Sequence, residues 1–187
     1  MDQLNSPQYN KSLLKNIGED VFISANVEIR RPQLVSIGNH VAIDTGFYLT
    51  TGAELGDYIH IGPYVVIIGG QQGFLKMGHF TNIAAGSKVI CVSDEYLGEG
   101  LVTAPGLLAK FRDSLKSKPV IFENFANVGV NTVIFPGVTL GEGSVIGACS
   151  LVTKDTEPWT IYVGTPARPV KTRPKDKMLR YAKEMGY

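Results

Sequence analysis

The 187-residue chain has few of the residues from which several kinds of functional site are built. Its two cysteines, Cys91 and Cys149, have no metal-type spacing and form no disulfide framework, and Cys149 is expected to be a small buried thiol. Only three histidines are present, and the net charge of +1 gives no electrostatic case for nucleic acid or an acidic membrane surface. No P-loop, dinucleotide fingerprint or GxSxG motif occurs. We therefore expect no metal cofactor and no nucleic-acid partner.

Long hydrophobic runs are also missing. No segment approaches the length of a membrane span, and the first residues, MDQLNSPQYNKSLLKN, have no apolar core typical of a signal peptide. The sequence therefore predicts a cytoplasmic protein with no membrane span. Its length allows one well-buried domain and little more.

What the chain does contain is a six-residue repeat, together with 21 glycines and 10 prolines that indicate many turns. Between Phe122 and Asp155 every sixth residue is apolar: Phe122, Val128, Ile134, Leu140, Ile146 and Val152. An α-helix would need a period of 3.6 and an exposed strand a period of 2. A strict period of six is typical of a parallel β-helix. The pattern predicts an all-β fold of about six triangular coils, each made of three six-residue blocks.

The same rhythm predicts the organisation of the chain. Residues 1–16 do not follow it and are expected to cap the first coil, because solenoids need polar ends. Residues 17–155 form the β-helix, which two insertions interrupt at corners, at about 69–73 and 95–119. Residues 156–187 form an extension that ends in a short helix. The longer insertion is too apolar for a free linker, and we expect it to pack on something, such as a neighbouring subunit.

One column of polar residues follows from the spacing. Residues at the same place in blocks one coil apart stack about 4.8 Å from each other, which puts Asn82 between His60 and Asn127. Histidine is the natural base near neutral pH. The column is interpreted either as a polar strip for a sugar and an acyl carbonyl or as a turn-side hydrogen-bond ladder. His79 occupies an outward place, typical of a surface histidine, although it could line a site covered by the first insertion.

The segment from Phe122 to Val170 resembles the C-terminal coils of the hexapeptide-repeat acyltransferases, which include the galactoside, maltose, Nod-factor and streptogramin acetyltransferases. The resemblance is carried by the PGV turn (Pro136–Val138), the VTKD end (Val152–Asp155) and the GTPAR exit (Gly164–Arg168). The stretch SDEYLGEGL (Ser93–Leu101) is similar to a subgroup from bacterial surface-polysaccharide clusters. The resemblance implies a left-handed β-helix, a homotrimer with active sites between adjacent subunits, and acetyl-CoA as the donor.

The resemblance also implies where the donor binds. It places coenzyme A along the C-terminal coils, where small residues let the pantetheine arm approach the backbone and a basic cluster suits the adenosine phosphates. The alternative for that cluster is a solvated basic tail. The implied cofactor-binding residues are Gly129, Val130, Ala148, Thr153, Lys154, Arg168, Lys171 and Arg173.

The sequence departs from the family at Asp94. Many relatives carry an essential histidine as the last residue of the block before the long loop, and here that place holds Asp94. An aspartate has an unperturbed pKa of about 3.9 and is a weak base. Asp94 could act as a base if burial raises its pKa, or it could bind and orient an amino sugar; Glu95 is the adjacent alternative. The remaining interpretation is that both residues only begin a solvated loop.

These observations together predict an acetyl-CoA-dependent acetyltransferase that acts on a hydroxyl or amino group of a sugar, as part of a nucleotide- or lipid-linked precursor of surface polysaccharide. We expect His60 to serve as base or acceptor-orienting group and Asp94 to bind the acceptor, with Asn82 and Asn127 lining the site. The alternative is a catalytically inactive trimeric β-helix that serves as a scaffold or a carbohydrate-binding module. A carbonic-anhydrase-type β-helix would need more histidines at matched spacing.

Overall fold

A computed structural model describes residues 8–187 of the chain. Within these residues the chain forms 22 short strands, three 3-10 helices (Lys11–Leu13, Pro32–Leu34 and Ala109–Phe111) and the α-helix α1 (Asp176–Glu184). In chain order the strands are β1 (Asn16–Ile17), β2 (Phe22–Ile23), β3 (Glu28–Ile29), β4 (Val35–Ile37), β5 (Val41–Ile43), β6 (Tyr48–Leu49), β7 (Gly52–Leu55), β8 (Ile59–Ile61), β9 (Val66–Ile68), β10 (Phe74–Met77), β11 (Asn82–Ile83), β12 (Lys88–Ile90), β13 (Val92–Asp94), β14 (Leu115–Ser117), β15 (Val120–Phe122), β16 (Asn127–Val128), β17 (Val133–Ile134), β18 (Thr139–Leu140), β19 (Val145–Ile146), β20 (Leu151–Val152), β21 (Thr160–Val163) and β22 (Arg168–Thr172).

Three sheets form the faces of the molecule. Sheet one has the order β1-β4-β7-β10-β15-β18, sheet two β2-β5-β8-β11-β16-β19-β21-β22, and sheet three β20-β17-β12-β9-β6-β3. Neighbouring strands within each sheet are parallel, apart from the antiparallel pair β21–β22. Paired residues are 18 apart in the regular coils, as in Ala42–His60 and Asn127–Val145, whereas they are 20 apart in the first coil, as in Phe22–Ala42, and 16 apart in the last, as in Val145–Ile161. The predicted all-β parallel β-helix, with three blocks per coil, is confirmed.

The repeat produces the core directly. The first residues of the blocks from Phe122 to Val152 are each at most 2% exposed. The fifth residues, such as Ala126, Thr132 and Ser150, are buried with them, because small side chains fit at the crowded corners. Burying a large aliphatic side chain contributes about 1.5–3 kcal/mol, so each first-place residue of this stack stabilises the fold.

An aromatic column runs along one corner of the prism. The rings of Tyr58, Phe80 and Phe125 stack with centroids 5.1 and 5.2 Å apart, and all three residues have φ between 57° and 63°. Gly143 takes the equivalent place in the next coil, where a Cβ would lie 2.3 Å from the Trp159 ring. Only glycine leaves room for that ring, so Trp159 can close the end of the column.

The long insertion is an ordered arm. After β12 the chain leaves the helix along β13 and returns along β14, which pairs antiparallel with β13 from Val92–Ser117 to Asp94–Leu115. Within the arm Leu101 bridges to Arg112, and Asp113 is only 8% exposed. The short insertion closes on itself through the Gly73 N–H, which donates to the Gly69 carbonyl at 2.8 Å.

The two ends of the chain differ in detail from the sequence expectations. Residues 1–7 of the expected cap lie outside the described residues; the rest contributes the 3-10 helix Lys11–Leu13 and a bridge from Gln8 to Ser24. The extension carries the expected helix α1 and also adds two short strands, β21 and β22, that the sequence did not predict. Pro169 is tolerated in β22 because this is an edge strand. Among residues 8–187, no helix combines the length and apolar character needed to cross a membrane.

Candidate functional site

His60 lies outward on β8 and forms a pair that the sequence did not reveal. Its Nε2 lies 2.9 Å from Oδ2 of Asp44, which follows β5 in the preceding coil. The histidine side chain is 58% exposed and the aspartate side chain 32%. A carboxylate on Nε2–H leaves Nδ1 as the free acceptor of a neutral imidazole. The pair therefore presents a proton acceptor to solvent.

The strand pairing confirms that His60, Asn82 and Asn127 stack in neighbouring coils, as the spacing predicted. Asn82 pairs with His60 on one side and with Asn127 on the other. The Asn127 side-chain amide donates to the Phe125 carbonyl at 2.6 Å, and Asn127 also lines a cavity of about 280 Å³ beneath α1, beside Phe80 and Met178. The column therefore changes character along its length, from an open histidine to an asparagine facing the C-terminal helix.

His79 belongs to a ladder of side chains that seals one corner. Its Nδ1 accepts the Asp57 backbone N–H at 3.0 Å, and its own backbone N–H donates to Asn124 Oδ1 at 2.9 Å. Its ring packs on the C-terminal Tyr187 with centroids 5.0 Å apart. The Tyr187 hydroxyl donates to Asp57 Oδ2 at 2.7 Å, and this bond raises the pKa of Tyr187 to about 12. These contacts support a structural role for His79.

Asp94 ends β13, at the base of the arm. Its Oδ1 accepts the Thr103 backbone N–H at 3.0 Å, and this hydrogen bond lowers the pKa of the Asp94 carboxyl below its usual value. Asp94 is therefore a carboxylate at neutral pH, which suits it to bind a cation and makes it a poor proton acceptor. Glu95 follows as an exposed residue, and its backbone N–H donates to the Ser114 carbonyl at 2.9 Å.

The arm that carries Asp94 is held by a buried aspartate. Asp113 accepts the Gly98 N–H at 3.1 Å through Oδ2 and the Ser114 N–H at 2.7 Å through Oδ1. Because a buried carboxylate is costly unless it is hydrogen-bonded, these bonds favour one shape of the arm. Asp94 is consequently presented on a fixed support.

A cavity of about 320 Å³ opens beside Asp94. Its lining combines polar groups from Ser93, Asp94 and Tyr96 with the apolar side chains of Ile68, Ile90 and Phe135. Asp94 and His60 lie on different faces of one chain, since Asp94 follows sheet three and His60 belongs to sheet two.

Three of the implied donor-binding residues share a second cavity. Thr153, Lys154 and Arg168 line a space of about 160 Å³ next to β22. Ala148 is exposed, and Val130 is 44% exposed. Gly129 has an additional structural reason to be small, because a Cβ there would lie 2.7 Å from the Ala148 backbone nitrogen in the next coil.

The basic cluster is divided by the fold. Lys171 lies exposed on β22. Arg173 is partly buried instead: its Nη1 donates to the carbonyls of Phe125 and Gly143 at 2.9 and 3.0 Å, and burial lowers the pKa of its guanidinium. Arg173 thus ties the extension to the aromatic corner.

The burial expected for Cys149 is wrong, because this residue occupies an outward turn with φ of 58° and is exposed.

The residues that sequence reasoning missed are those whose partners are distant in the sequence, across two coils for Asp44 and within the arm for Asp113. Asp44 and Asp113 act through partners 16 and 15 residues away, and no local motif marks either contact. Ile68, Ile90 and Phe135 do have a signal, since each is a second large apolar residue beside a core position. Within residues 8–187 no cluster of three or more His, Cys, Asp or Glu is arranged to hold a metal ion.

Fold and site together match a known family. The model described as "Hexapeptide repeat of succinyl-transferase" matches residues 16–51 and 119–154. The chain is also 32% identical over 178 residues to the dTDP-4-amino-4,6-dideoxy-D-glucose acyltransferase of Escherichia coli, covering 94% of this chain and 91% of that protein. The chain belongs to the hexapeptide-repeat acyltransferase family.

Solved structures agree with this assignment. AntD, an N-acyltransferase from Bacillus cereus in complex with dTDP and 3-hydroxybutyryl-CoA, has a TM-score of 0.88 at 30% identity, over 97% of this chain and 100% of that chain. A serine-to-cysteine variant of AntD, in complex with dTDP-4-amino-4,6-dideoxyglucose and coenzyme A, has a TM-score of 0.88 at 32% identity, with 97% of each chain covered.

Proposed function

We propose that this protein is an N-acyltransferase that moves an acyl group from an acyl-coenzyme A to the amino group of a nucleotide-linked sugar. The observation that carries this proposal is the Asp94 carboxylate, whose pKa is lowered by the Thr103 N–H, at the edge of a cavity. A carboxylate attracts an ammonium group and then orients the amine formed from it. A sugar hydroxyl would instead need a base, and Asp94 is poorly suited to be one. The relatives named above act on, or bind, an amino sugar linked to dTDP.

The donor is proposed to lie along the C-terminal coils. The cavity lined by Thr153, Lys154 and Arg168 would take part of the pantetheine arm, and exposed Lys171 would meet a phosphate. Arg173 is left out of this proposal because its guanidinium already binds two backbone carbonyls. Acetyl-CoA is the donor proposed here; a four-carbon acyl-CoA is the alternative, since AntD was solved with one.

The reaction needs little acid–base help. The neutral amine nitrogen attacks the thioester carbonyl carbon, a C–N bond forms, and the C–S bond breaks to release coenzyme A as a thiolate. The ammonium bound by Asp94 first loses one proton to water, which gives this neutral amine. A second proton leaves the nitrogen as the amide forms, and the thiolate takes up one proton to become the free thiol of coenzyme A. His60, with Nδ1 free and Nε2 paired to Asp44, is proposed to accept the nitrogen proton or to orient the acceptor.

A homotrimer would bring these parts together. Asp94 and His60 lie on different faces of one chain, so an active site that uses both requires two adjacent subunits. The arm supports such contacts, because it exposes large apolar side chains that a second copy would cover: Tyr96, Leu97, Leu101, Val102, Leu108 and Phe111. A cytoplasmic location and a place in surface-polysaccharide synthesis remain predictions from the sequence.

A coupled assay tests the proposed function. The protein is mixed with acetyl-CoA or butyryl-CoA and a panel of dTDP- and UDP-linked sugars with a free amine or only hydroxyls, and released thiol is measured. We expect turnover with amino sugars and at least a tenfold lower rate with the hydroxyl sugars. Calorimetry with coenzyme A runs in parallel. If coenzyme A does not bind at millimolar concentration, or if no amino sugar is turned over, the proposed enzyme function is wrong. The alternative of a scaffold or carbohydrate-binding module would then be favoured.

Replacing His60 tests the proposed proton acceptor. His60→Ala should lower kcat on the amino sugar by roughly five- to tenfold, the equivalent of one lost hydrogen bond of about 1 kcal/mol, without changing the KM for the donor. Asp44→Asn should give a smaller loss, because the imidazole keeps its ring but loses its ionic partner. His40→Ala is the matched control, since His40 forms the same kind of pair with Asp20 at 3.1 Å, away from the proposed site. Near-normal turnover of His60→Ala removes His60 from the mechanism.

A further inference from the structure

Three large apolar side chains stack on the outside of sheet three. The register pairs Ile68 with Ile90, and continues through the Val89–Ile134 pair to Phe135 in the next coil. Ile68 is 41% exposed and Phe135 42%. We call Ile68, Ile90 and Phe135 the apolar wall. Isolated surface apolar residues need no explanation, but a contiguous patch that forms one side of a cavity indicates binding.

The ends of the same column show what is unusual about the wall. One coil before Ile68 the equivalent residue is Thr50, and one coil after Phe135 it is Thr153, as the pairings Leu49–Ile67 and Ile134–Val152 require. Thr50 is buried and its hydroxyl accepts the Gly69 and Gly70 N–H groups, whereas Thr153 is exposed like Ile68 and Phe135 of the wall. Thr153 therefore shows that stacking in this column does not demand an apolar residue. The three apolar residues occur only over the height of the cavity beside Asp94.

The cavity has a mixed lining. The residues of the apolar wall share it with Ser93, Tyr96 and Asp94. At about 320 Å³ it is at the small end of ligand sites, which commonly measure about 300–1,000 Å³. That space suits one sugar ring and excludes a whole nucleotide sugar. A sugar whose amine is bound by Asp94 would share this small cavity with the wall, and a hydroxyl placed against the wall would lose water without gaining a partner.

We propose that the apolar wall is a subsite for a deoxygenated carbon of the acceptor, such as the methyl group of a 6-deoxy amino sugar, and that Ile68 and Ile90 determine this specificity. This inference rests on the proposed N-acyltransferase function. The acceptor is assigned to the cavity in preference to the acyl chain because the acceptor alone carries the cation that Asp94 would bind. The wall thus disfavours an acceptor that has a hydroxyl group at this carbon. It is not expected to affect the preference for the length of the donor's acyl chain.

Two dTDP-linked acceptors test the proposal: a 4-amino-4,6-dideoxyhexose and the 4-amino-4-deoxyhexose that keeps the 6-hydroxyl. The wild-type kcat/KM should favour the dideoxy sugar by about 10- to 100-fold, since apolar pockets discriminate against an added hydroxyl by up to about 10². Ile68→Thr and Ile90→Thr should reduce that ratio at least threefold. Threonine keeps the β-branch that suits a strand and offers the hydroxyl a partner. Val66→Thr, outward on the same strand but outside the cavity, is the control and should leave the ratio unchanged.

The outcomes separate the inference from the function on which it rests. If the wild type has the same kcat/KM for the two acceptors, the proposed role of the wall is wrong, while the proposed N-acyl transfer is not affected. A second experiment holds the acceptor constant and compares acetyl-CoA with butyryl-CoA as donors. If the threonine variants change the donor preference instead of the acceptor preference, the wall binds the acyl chain and the proposal fails. If no amino sugar turns over, the proposed function fails. Calorimetric affinities of the two nucleotide sugars then test the wall directly, with the same expected order.

Discussion

Replacing Asp94 with asparagine should lower kcat/KM for amino-sugar acceptors by roughly 10- to 100-fold, mainly through KM. Asparagine keeps the shape of the side chain and an oxygen for the Thr103 N–H, but it loses the charge that holds an ammonium group. Hydrogen bonds to charged groups are worth about 1.5–3 kcal/mol, which sets the size of the loss. Steady-state kinetics with the dideoxy amino sugar measure it.

The control is Glu99→Gln, which removes another exposed carboxylate from the same arm and should leave kcat/KM within about twofold. Calorimetry should show an unchanged affinity for coenzyme A in Asp94→Asn, since the donor cavity is lined by other residues. Near-normal kcat/KM in Asp94→Asn would remove the carboxylate from acceptor binding. Because the pKa of Asp94 is lowered, its charge is complete above about pH 5. Changes in rate between pH 5 and pH 8 therefore report on the amine or on another group.

A second large effect is expected on stability. Phe122→Ala should lower the free energy of unfolding by about 3–5 kcal/mol, since truncating a buried aromatic residue leaves a cavity and Phe122 is 1% exposed. Phe135→Ala is the matched control from the same repeat segment; its side chain is 42% exposed, so we expect a loss of about 1 kcal/mol or less. Urea denaturation followed by circular dichroism measures both. Equal losses would contradict the division of this segment into inward and outward residues.

Much of the fold could be predicted because the repeat is a local signal with a global consequence. Once every sixth residue is apolar, only one kind of coil buries them all, and the stacking of Asn82 between His60 and Asn127 follows from counting. The arm could not be predicted in the same way. Its shape depends on Asp113 accepting two backbone N–H groups, and no periodicity encodes that contact.

The candidate site shows the same division. Counting predicted which coil holds His60 and that Asp94 begins the arm. It could not reveal the Asp44 partner of His60, because that contact depends on how the chain turns at a corner. The family resemblance placed Arg173 with the cofactor, whereas in the fold its guanidinium donates to the carbonyls of Phe125 and Gly143. The sequence does not show whether an arginine side chain is exposed to solvent or bound to backbone carbonyls of another coil.

The sequence by itself determined the architecture and the family, because the β-helix is built from the residue pattern one coil at a time. Only the tertiary structure decided how the side chains outside that pattern are used. A hydrogen bond from the Thr103 N–H lowers the pKa of the Asp94 carboxyl, His79 is part of a corner ladder, and three apolar residues line the same cavity as Asp94. These properties depend on distances between residues of different coils and of the arm, and such distances exist only after the chain has folded.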